Sequence, residues 1–177
     1  MRVELGILEE ALVNLRFGGL DTFDLGWAQE TVVTLLIQNR DWRFMGLNTE
    51  RLTDQPHTRL VPMVLDPTEK ASIIAASDVF LAARGHGEDF GVSIAEALQI
   101  GIPLLAWNEG TGCNHIHMLS GLGALFRQPR DLRQRLRRIA RWKDPSTMQG
   151  ATTLRECIPA SGHCSKIRLT TGCYALN

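Results

Sequence analysis

Short apolar runs alternate along the chain with longer segments in which apolar residues recur at a helical period. The apolar runs predict strands at residues 11–17, 42–47, 60–65, 79–83, 102–107 and 123–126. The periodic segments predict helices at residues 25–38, 66–77, 93–101, 116–119 and 131–142. This alternation predicts an α/β fold, a Rossmann-like three-layer domain in which a parallel sheet is covered by helices on both faces.

Polar residues at three predicted helix starts match known capping patterns. Asp21 and Asp24 precede the first helix and are its N-cap candidates. Asp66 is followed by a proline and, three residues later, by a glutamate. Ser93 has Glu96 three residues after it, which is the spacing of a capping box. We therefore expect side-chain caps at these helix starts.

Three loops follow predicted strands, at residues 16–24, 84–91 and 108–115. In an open parallel sheet the carboxyl ends of the strands share one edge, and ligands bind there. The first loop contains Gly18 and Gly19, which allow the backbone to turn tightly and approach a ligand. The three loops are therefore expected to form one site.

The pattern of strands and helices stops after residue 143. Residues 144–177 are dominated by Ser, Thr, Gly, Cys and Pro, and no period persists in them. A length of 177 residues suits one domain. The sequence therefore predicts a domain at residues 1–143 and an irregular C-terminal tail at residues 144–177.

The formal net charge of zero conceals an uneven distribution. Residues 1–126 contain eight Lys and Arg against sixteen Asp and Glu, whereas residues 127–143 contain eight against one. Such a basic helix either contacts an anionic surface, of lipid or nucleic acid, or docks on the acidic domain with its charged face in solvent. Docking on the domain is the interpretation that we prefer, and no nucleic-acid partner is expected.

The sequence gives no indication of export. No apolar run approaches the roughly 20 residues that span a bilayer, and residues 1–10 lack the pattern of a signal peptide. A cytoplasmic protein is therefore predicted, and attachment to a membrane surface stays an open alternative. In that compartment free thiols are expected for the cysteines, which form no Cys-x-x-Cys pair: Cys113, Cys157, Cys164 and Cys173.

The most distinctive motif lies between two predicted strands. It reads Glu88-Asp89-Phe90-Gly91, then Glu96-Ala97-Leu98, then Gly101-Ile102-Pro103-Leu104-Leu105-Ala106. This order of Glu, Phe-Gly, Glu-Ala and Gly-x-Pro resembles the signature of retaining GT-B glycosyltransferases, in particular family 4, or group 1. The resemblance covers roughly residues 11–142 and is loose outside the motif.

The resemblance implies one half of a GT-B fold, the C-terminal domain that binds a nucleotide-sugar donor. Such enzymes transfer the sugar with retention to an acceptor, which here is an unknown glycan, lipid or protein. The N-terminal acceptor domain does not fit into this length, and we expect it to be missing, lost or supplied by another chain. No cofactor is implied, and no Asp-x-Asp motif suggests a metal clamp.

The resemblance also implies roles for the two glutamates. Glu88 is expected beside the donor sugar as the catalytic carboxylate, where it binds hydroxyls or stabilises cationic character; the alternative is an exposed loop acid. Glu96 is expected to accept hydrogen bonds from both ribose hydroxyls. The alternative for Glu96 is that it only completes the capping box with Ser93.

Further candidates surround these glutamates. The backbone N–H groups of Phe90, Gly91 and Val92 lie at a predicted helix start, which suits anionic or hydroxyl oxygens. A turn requirement alone would also explain the glycine at Gly91. Asp89 stands where relatives commonly have glycine, and it either affects sugar choice or faces water. His115 is a candidate for binding phosphate or sugar, although a polar surface role also fits a loop histidine.

The leaving diphosphate needs positive charge. Relatives use an Arg near the first strand and a Lys a few residues later. Arg16 fits the first, and Gly18 and Gly19 follow it; the alternative for Arg16 is an ordinary surface ion. Residues 17–30 contain no Lys or Arg. Arg84, next to the glutamate loop, is the expected substitute.

Two other functions remain as alternatives. The missing Lys and the missing acceptor domain also fit a nucleotide-sugar-binding module that performs no transfer. An NAD-binding domain is less consistent, because Gly18-Gly19 is not the Gly-x-Gly-x-x-Gly fingerprint.

Overall fold

A six-stranded sheet, parallel throughout, forms the centre of the domain in the computed structural model, which describes residues 1–119 and 125–143. Its strands are β1 (Leu12–Phe17), β2 (Trp42–Leu47), β3 (Thr58–Val61), β4 (Val79–Ala82), β6 (Leu104–Trp107) and β8 (Leu125–Phe126). Their order across the sheet is β3-β2-β1-β4-β6-β8. The predicted parallel α/β sheet is confirmed.

The burial of the central strands explains why their short sequences are mostly apolar. Every residue of β1 and β4 is buried, because helices cover both faces of the sheet. β3 lies at the edge and is only partly buried. It begins and ends earlier than the predicted strand at 60–65.

Helices form the outer two layers. They are α1 (Gly26–Gln38), α2 (Pro67–Ala75), α3 (Val92–Ile100), α4 (Asn114–Leu119) and α5 (Pro129–Lys143). Apolar residues of α1 and α5 belong to the core on one face of the sheet, and those of α2 and α3 belong to the core on the other. The chain therefore has the predicted Rossmann-like, three-layer architecture.

Only one of the three predicted side-chain caps is present. The Asp66 carboxylate accepts a hydrogen bond from the Glu69 N–H at 2.8 Å and caps α2 as predicted. The prediction for α1 was wrong, because its N-cap residue is Leu25 and makes no side-chain cap. Asp24 instead accepts a hydrogen bond from the backbone N–H of Gly85 at 2.6 Å. This contact ties together two of the loops expected to form the site.

The predicted capping box on α3 was also wrong. The N-cap residue is Gly91 in the left-handed conformation, with φ of 65°, and it offers no side chain. Ser93 therefore lies inside the first turn, and Glu96 takes no part in a cap. The predicted end at Gly101 is confirmed, and this glycine is also left-handed.

The basic segment forms α5 and packs against the domain. Its apolar residues Leu132, Leu136 and Ile139 are buried in the same core as α1. Its last residue, Lys143, forms an ion pair with Asp78 at 3.0 Å. Docking on the acidic domain, the preferred interpretation, therefore accounts for one face of this helix.

The remaining predictions concern the strand at 123–126, the C-terminal tail, the cysteines and membrane-spanning helices. The predicted strand at 123–126 is present as β8, whereas residues 120–124 lie outside the described ranges. The predicted tail and its three cysteines also lie outside them, and Cys113 forms no disulfide bond with any described residue. No helix in the described part is long and apolar enough to cross a membrane.

Candidate functional site

A cleft of about 1010 Å³ opens at the carboxyl ends of β1 and β4. The β1–α1 loop, the segment from β3 to α2, and the loop before α3 line it together with the first turns of α3. Its charged lining residues are Arg16, Lys70, Arg84, Glu88, Asp89 and Glu96. The sequence therefore correctly predicted that loops 16–24 and 84–91 meet at this edge of the sheet, whereas the third predicted loop, 108–115, does not line the cleft.

The glutamate loop is held by a small second sheet that the sequence did not predict. β5 (Gly87–Glu88) pairs in parallel with β7 (Gly112–Cys113), which brings the loop at 108–115 beside it. Gly87 has φ of 80°, and a Cβ there would lie 2.0 Å from the Gly112 carbonyl oxygen. Only glycine permits both the backbone conformation and the close pairing of the two loops.

Glu88 faces the cleft from this second sheet. Its carboxylate lies 3.6 Å from the Arg84 guanidinium, and 15% of its side chain is exposed. The backbone N–H of Glu88 donates to His115 Nδ1 at 3.2 Å. The exposed-acid alternative therefore does not describe Glu88, which is a mostly buried carboxylate with an arginine beside it.

His115 corrects a prediction, because it does not line the cleft and is 1% exposed. Nδ1 accepts from Glu88 N–H, and Nε2 lies 2.6 Å from the Trp107 carbonyl oxygen, to which it donates. Both ring nitrogens are thus used by backbone groups, so the imidazole has no group left for phosphate or sugar. His115 connects the end of β6 to the glutamate loop and holds Glu88 in place.

Replacing His115 with alanine is expected to lower the free energy of unfolding by about 2–5 kcal/mol, because it removes a buried side chain and leaves two backbone groups unpaired. Denaturant unfolding measures this effect. His117→Ala, on the exposed side of the same short helix, is the control and should cost less than about 1 kcal/mol. Equal losses in the two variants would show that His115 does not connect the loops as described.

Arg16 lies in the floor of the cleft and is 1% exposed. Its guanidinium donates to the Phe17 and Thr22 carbonyl oxygens and to the Thr22 hydroxyl. Its Nε has no partner among the described residues. Burial lowers the pKa of Arg16 to about 10, and the Glu88 carboxylate opposes that shift. The floor therefore carries a buried positive charge with no carboxylate at ion-pair distance in the described ranges.

Glu96 extends into the cleft from α3 and meets a cation that the sequence analysis missed. Lys70 of α2 places its Nζ 2.7 Å from both carboxylate oxygens of Glu96. The start of α2 follows an edge strand and therefore lies at the same edge of the sheet as the loops. The Asp66-Pro67 start signal together with this topology could have identified Lys70.

The remaining candidates lie at the mouth of the cleft, where the loop turns into α3. Phe90 is 70% exposed and Val92 is 55% exposed, and both line the opening. Gly91 begins α3, whose first N–H groups have no acceptor within the helix. Asp89 is exposed, and its carboxylate lies 3.8 Å from His86 Nε2. Gly18 and Gly19 line the opposite wall beside Arg16.

The fold is that of the C-terminal, Rossmann-like domain of group 1 glycosyltransferases of the GT-B type. The C-terminal domain of a glycosyl transferase group 1 family protein (LpcC) from Francisella tularensis matches with 16% identity and a TM-score of 0.59. That match covers 77% of this chain and 78% of the LpcC domain. No model of a protein family matches the sequence, and no curated protein matches it.

Longer glycosyltransferases match over the same domain. HepE from Anabaena, solved with UDP and glucose, has 16% identity and a TM-score of 0.61 over 77% of this chain and 40% of HepE. Sucrose-phosphate synthase from Thermosynechococcus elongatus has 19% identity and a TM-score of 0.59 over 78% of this chain and 38% of the synthase. The chain thus spans well under half the length of these two relatives.

Proposed function

We propose that residues 1–143 bind a nucleotide sugar and form the donor domain of a glycosyltransferase that transfers the sugar with retention. The observation that carries this proposal is that Arg16, Glu88 and Glu96 line one cleft at the carboxyl edge of the sheet. The fold supports it, since the matched structures are glycosyltransferases. The acceptor, the compartment and any attachment to a membrane surface lie outside the proposal.

Different parts of the cleft suit the chemical groups of such a donor. The buried charge of Arg16 favours the diphosphate, because a charge in a low-dielectric environment is weakly screened. The α3 start at Gly91 offers N–H groups to phosphate or sugar oxygens. Glu96 is the acceptor for the ribose hydroxyls. No metal or cofactor is part of this proposal.

Glu88 is the proposed catalytic carboxylate. During transfer the bond between the anomeric carbon and the diphosphate oxygen breaks, the acceptor oxygen bonds to that carbon, and the proton of the acceptor hydroxyl leaves with the diphosphate. Positive charge develops on the sugar as the bond breaks, and a nearby carboxylate stabilises it. The Arg84 guanidinium, 3.6 Å from Glu88, is suited to the negative charge that develops on the leaving diphosphate.

The second candidate function is a nucleotide-sugar-binding module that performs no transfer. It is favoured by the β1–α1 loop, where Thr22 receives two hydrogen bonds from Arg16 and residues 17–30 supply no further cation. Such a module would bind the donor as tightly as an enzyme does. Only an assay of sugar transfer separates the two functions.

We expect calorimetry to detect binding of at least one nucleotide sugar from a panel of UDP-, GDP- and ADP-glucose. UDP-glucose is the first to test, because HepE has also been solved with it. Glu96→Gln should weaken that binding by about 1–3 kcal/mol, because a neutral amide accepts weaker hydrogen bonds than a carboxylate. Stability should change little, since the Lys70–Glu96 pair is about one-third exposed.

The control for this prediction is Glu69→Gln, which removes an exposed carboxylate from α2 away from the cleft. It should leave the affinity unchanged. If Glu96→Gln and Glu69→Gln bind the donor equally well, Glu96 is not the ribose acceptor. If the unaltered protein binds no nucleotide sugar, the proposed function itself is wrong.

A further inference from the structure

Lys70 and Glu96 form a pair inside the cleft in which both charges stay accessible to a ligand. The ammonium is bidentate, 2.7 Å from each carboxylate oxygen, and the two side chains are 29% and 33% exposed. The Lys70 Nζ also lies 5.3 Å from the centre of the Phe17 ring, within the range of a cation–π contact. Phe17 is the last residue of β1, so the ring that contacts the ammonium is fixed by a strand of the central sheet.

Both members of the pair retain hydrogen-bonding capacity. An ammonium has three N–H donors, and Glu96 uses two of them. A carboxylate has about four lone-pair sites, of which Lys70 uses two. The pair therefore presents one further donor and further acceptor sites side by side.

The charge of the pair selects between ligand groups. A phosphate close to Lys70 would also be close to the Glu96 carboxylate, and like charges at that separation repel. A neutral hydroxyl avoids this repulsion, because it donates to the carboxylate and accepts from the ammonium. Two adjacent hydroxyls fit better than one, since the carboxylate has two oxygens to receive them.

We propose that Lys70 acts with Glu96 as a specificity-determining residue that recognises a vicinal diol, the 2′- and 3′-hydroxyls of a ribonucleotide. This inference rests on the proposed function, in which Glu96 is the ribose acceptor. Lys70 contributes in two ways. It donates to a ribose hydroxyl, and it holds the Glu96 carboxylate in the orientation that receives the diol.

The test compares nucleoside diphosphates with and without the diol. The probes are UDP, GDP and ADP and their 2′-deoxy and 3′-deoxy counterparts, bound to the full chain and measured by calorimetry. The unaltered protein should bind its preferred ribonucleotide at least about tenfold more tightly than either deoxy form. Lys70→Met should reduce this preference to about twofold, mainly by weakening the ribonucleotide. Lys70→Arg, which keeps a cationic donor, should retain most of it.

Each other result would overturn the inference in a recognisable way. Equal weakening of the ribo and deoxy forms in Lys70→Met would assign Lys70 to the diphosphate, and the proposed function would stand. Tighter binding of the ribonucleotide by Lys70→Met would mean that the Lys70–Glu96 pair only blocks access to the cleft. If the unaltered protein binds none of the three ribonucleotides, the inference and the proposed function fail together. Thermal unfolding of each variant, with Glu69→Gln as the matched control, excludes loss of folding as the cause.

Discussion

Replacing Arg16 with methionine is expected to lower the affinity for the preferred nucleoside diphosphate by about 100-fold, which is about 2.7 kcal/mol. Arg16 is a buried cation in the floor of the cleft without a carboxylate at ion-pair distance in the described ranges. A negative ligand in the cleft therefore interacts with a charge that solvent screens poorly. Methionine keeps a long apolar side chain but removes that attraction.

The same substitution should change the free energy of unfolding by less than about 2 kcal/mol at pH 7, because two effects oppose each other. Burial lowers the pKa of Arg16 well below its ordinary value, to about 10, so the charged form costs the folded state about 3 kcal/mol. Methionine removes that cost, but it also leaves the Phe17 and Thr22 carbonyl oxygens without their donor. The cost applies in full below pH 10 and decreases as the pH rises through the folded pKa.

Calorimetry and denaturant unfolding check the two halves of this prediction separately. Arg59→Met, on the exposed edge strand β3, removes the same charge away from the cleft and should leave the affinity unchanged. Arg16→Lys keeps the charge but not the planar fork, and we expect an intermediate affinity. Unchanged affinity in Arg16→Met would show that the diphosphate does not use the floor of the cleft.

The sequence predicts best the strands that are buried along their whole length. β1 and β4 are buried on both faces, so most of their residues are apolar, and that requirement is visible in the sequence. The exceptions are Asn14 and the cleft residue Arg16, both buried in β1. The motif around Glu88 and Glu96 could be placed for a related reason. Strand, loop and helix follow one another without a gap, so their order alone puts both glutamates near one edge of the sheet.

The parts that escaped prediction depend on contacts between distant segments. Lys70 meets Glu96 across 26 positions of sequence, and His115 meets Glu88 across 27. Neither contact produces a hydrophobic period or a motif spacing that is visible within one stretch of the sequence. The capping box failed for a different reason, because a glycine with φ of 65° starts α3 before Ser93 can act as its cap. The spacing of Ser93 and Glu96 suggested a cap, but the left-handed conformation of Gly91 makes that glycine the N-cap residue.

Replacing Glu88 with glutamine is expected to lower the rate of sugar transfer, kcat, by about 100- to 1,000-fold while KM for the donor changes little. That magnitude is typical for the loss of one group that stabilises transition-state charge. Glutamine keeps the size of the side chain and can still contact Arg84, so donor binding should persist. Because Glu88 is held by Arg84, His115 and the β5–β7 pairing, its position should survive the change.

This rate must be measured where donor and acceptor are held together, because transfer requires a near-attack geometry and exclusion of water. The proposed donor cleft in the described domain is open to solvent, so residues 1–177 alone should bind the donor and transfer little. Joining an acceptor-binding domain, in the same chain or as a partner, should increase product formation from labelled donor.

The control for Glu88→Gln is Glu109→Gln, which changes an exposed carboxylate in the neighbouring loop and should leave kcat unchanged. Equal kcat for Glu88→Gln and the unaltered protein would remove Glu88 from the chemistry, and strong transfer by residues 1–177 alone would contradict the need for a second domain.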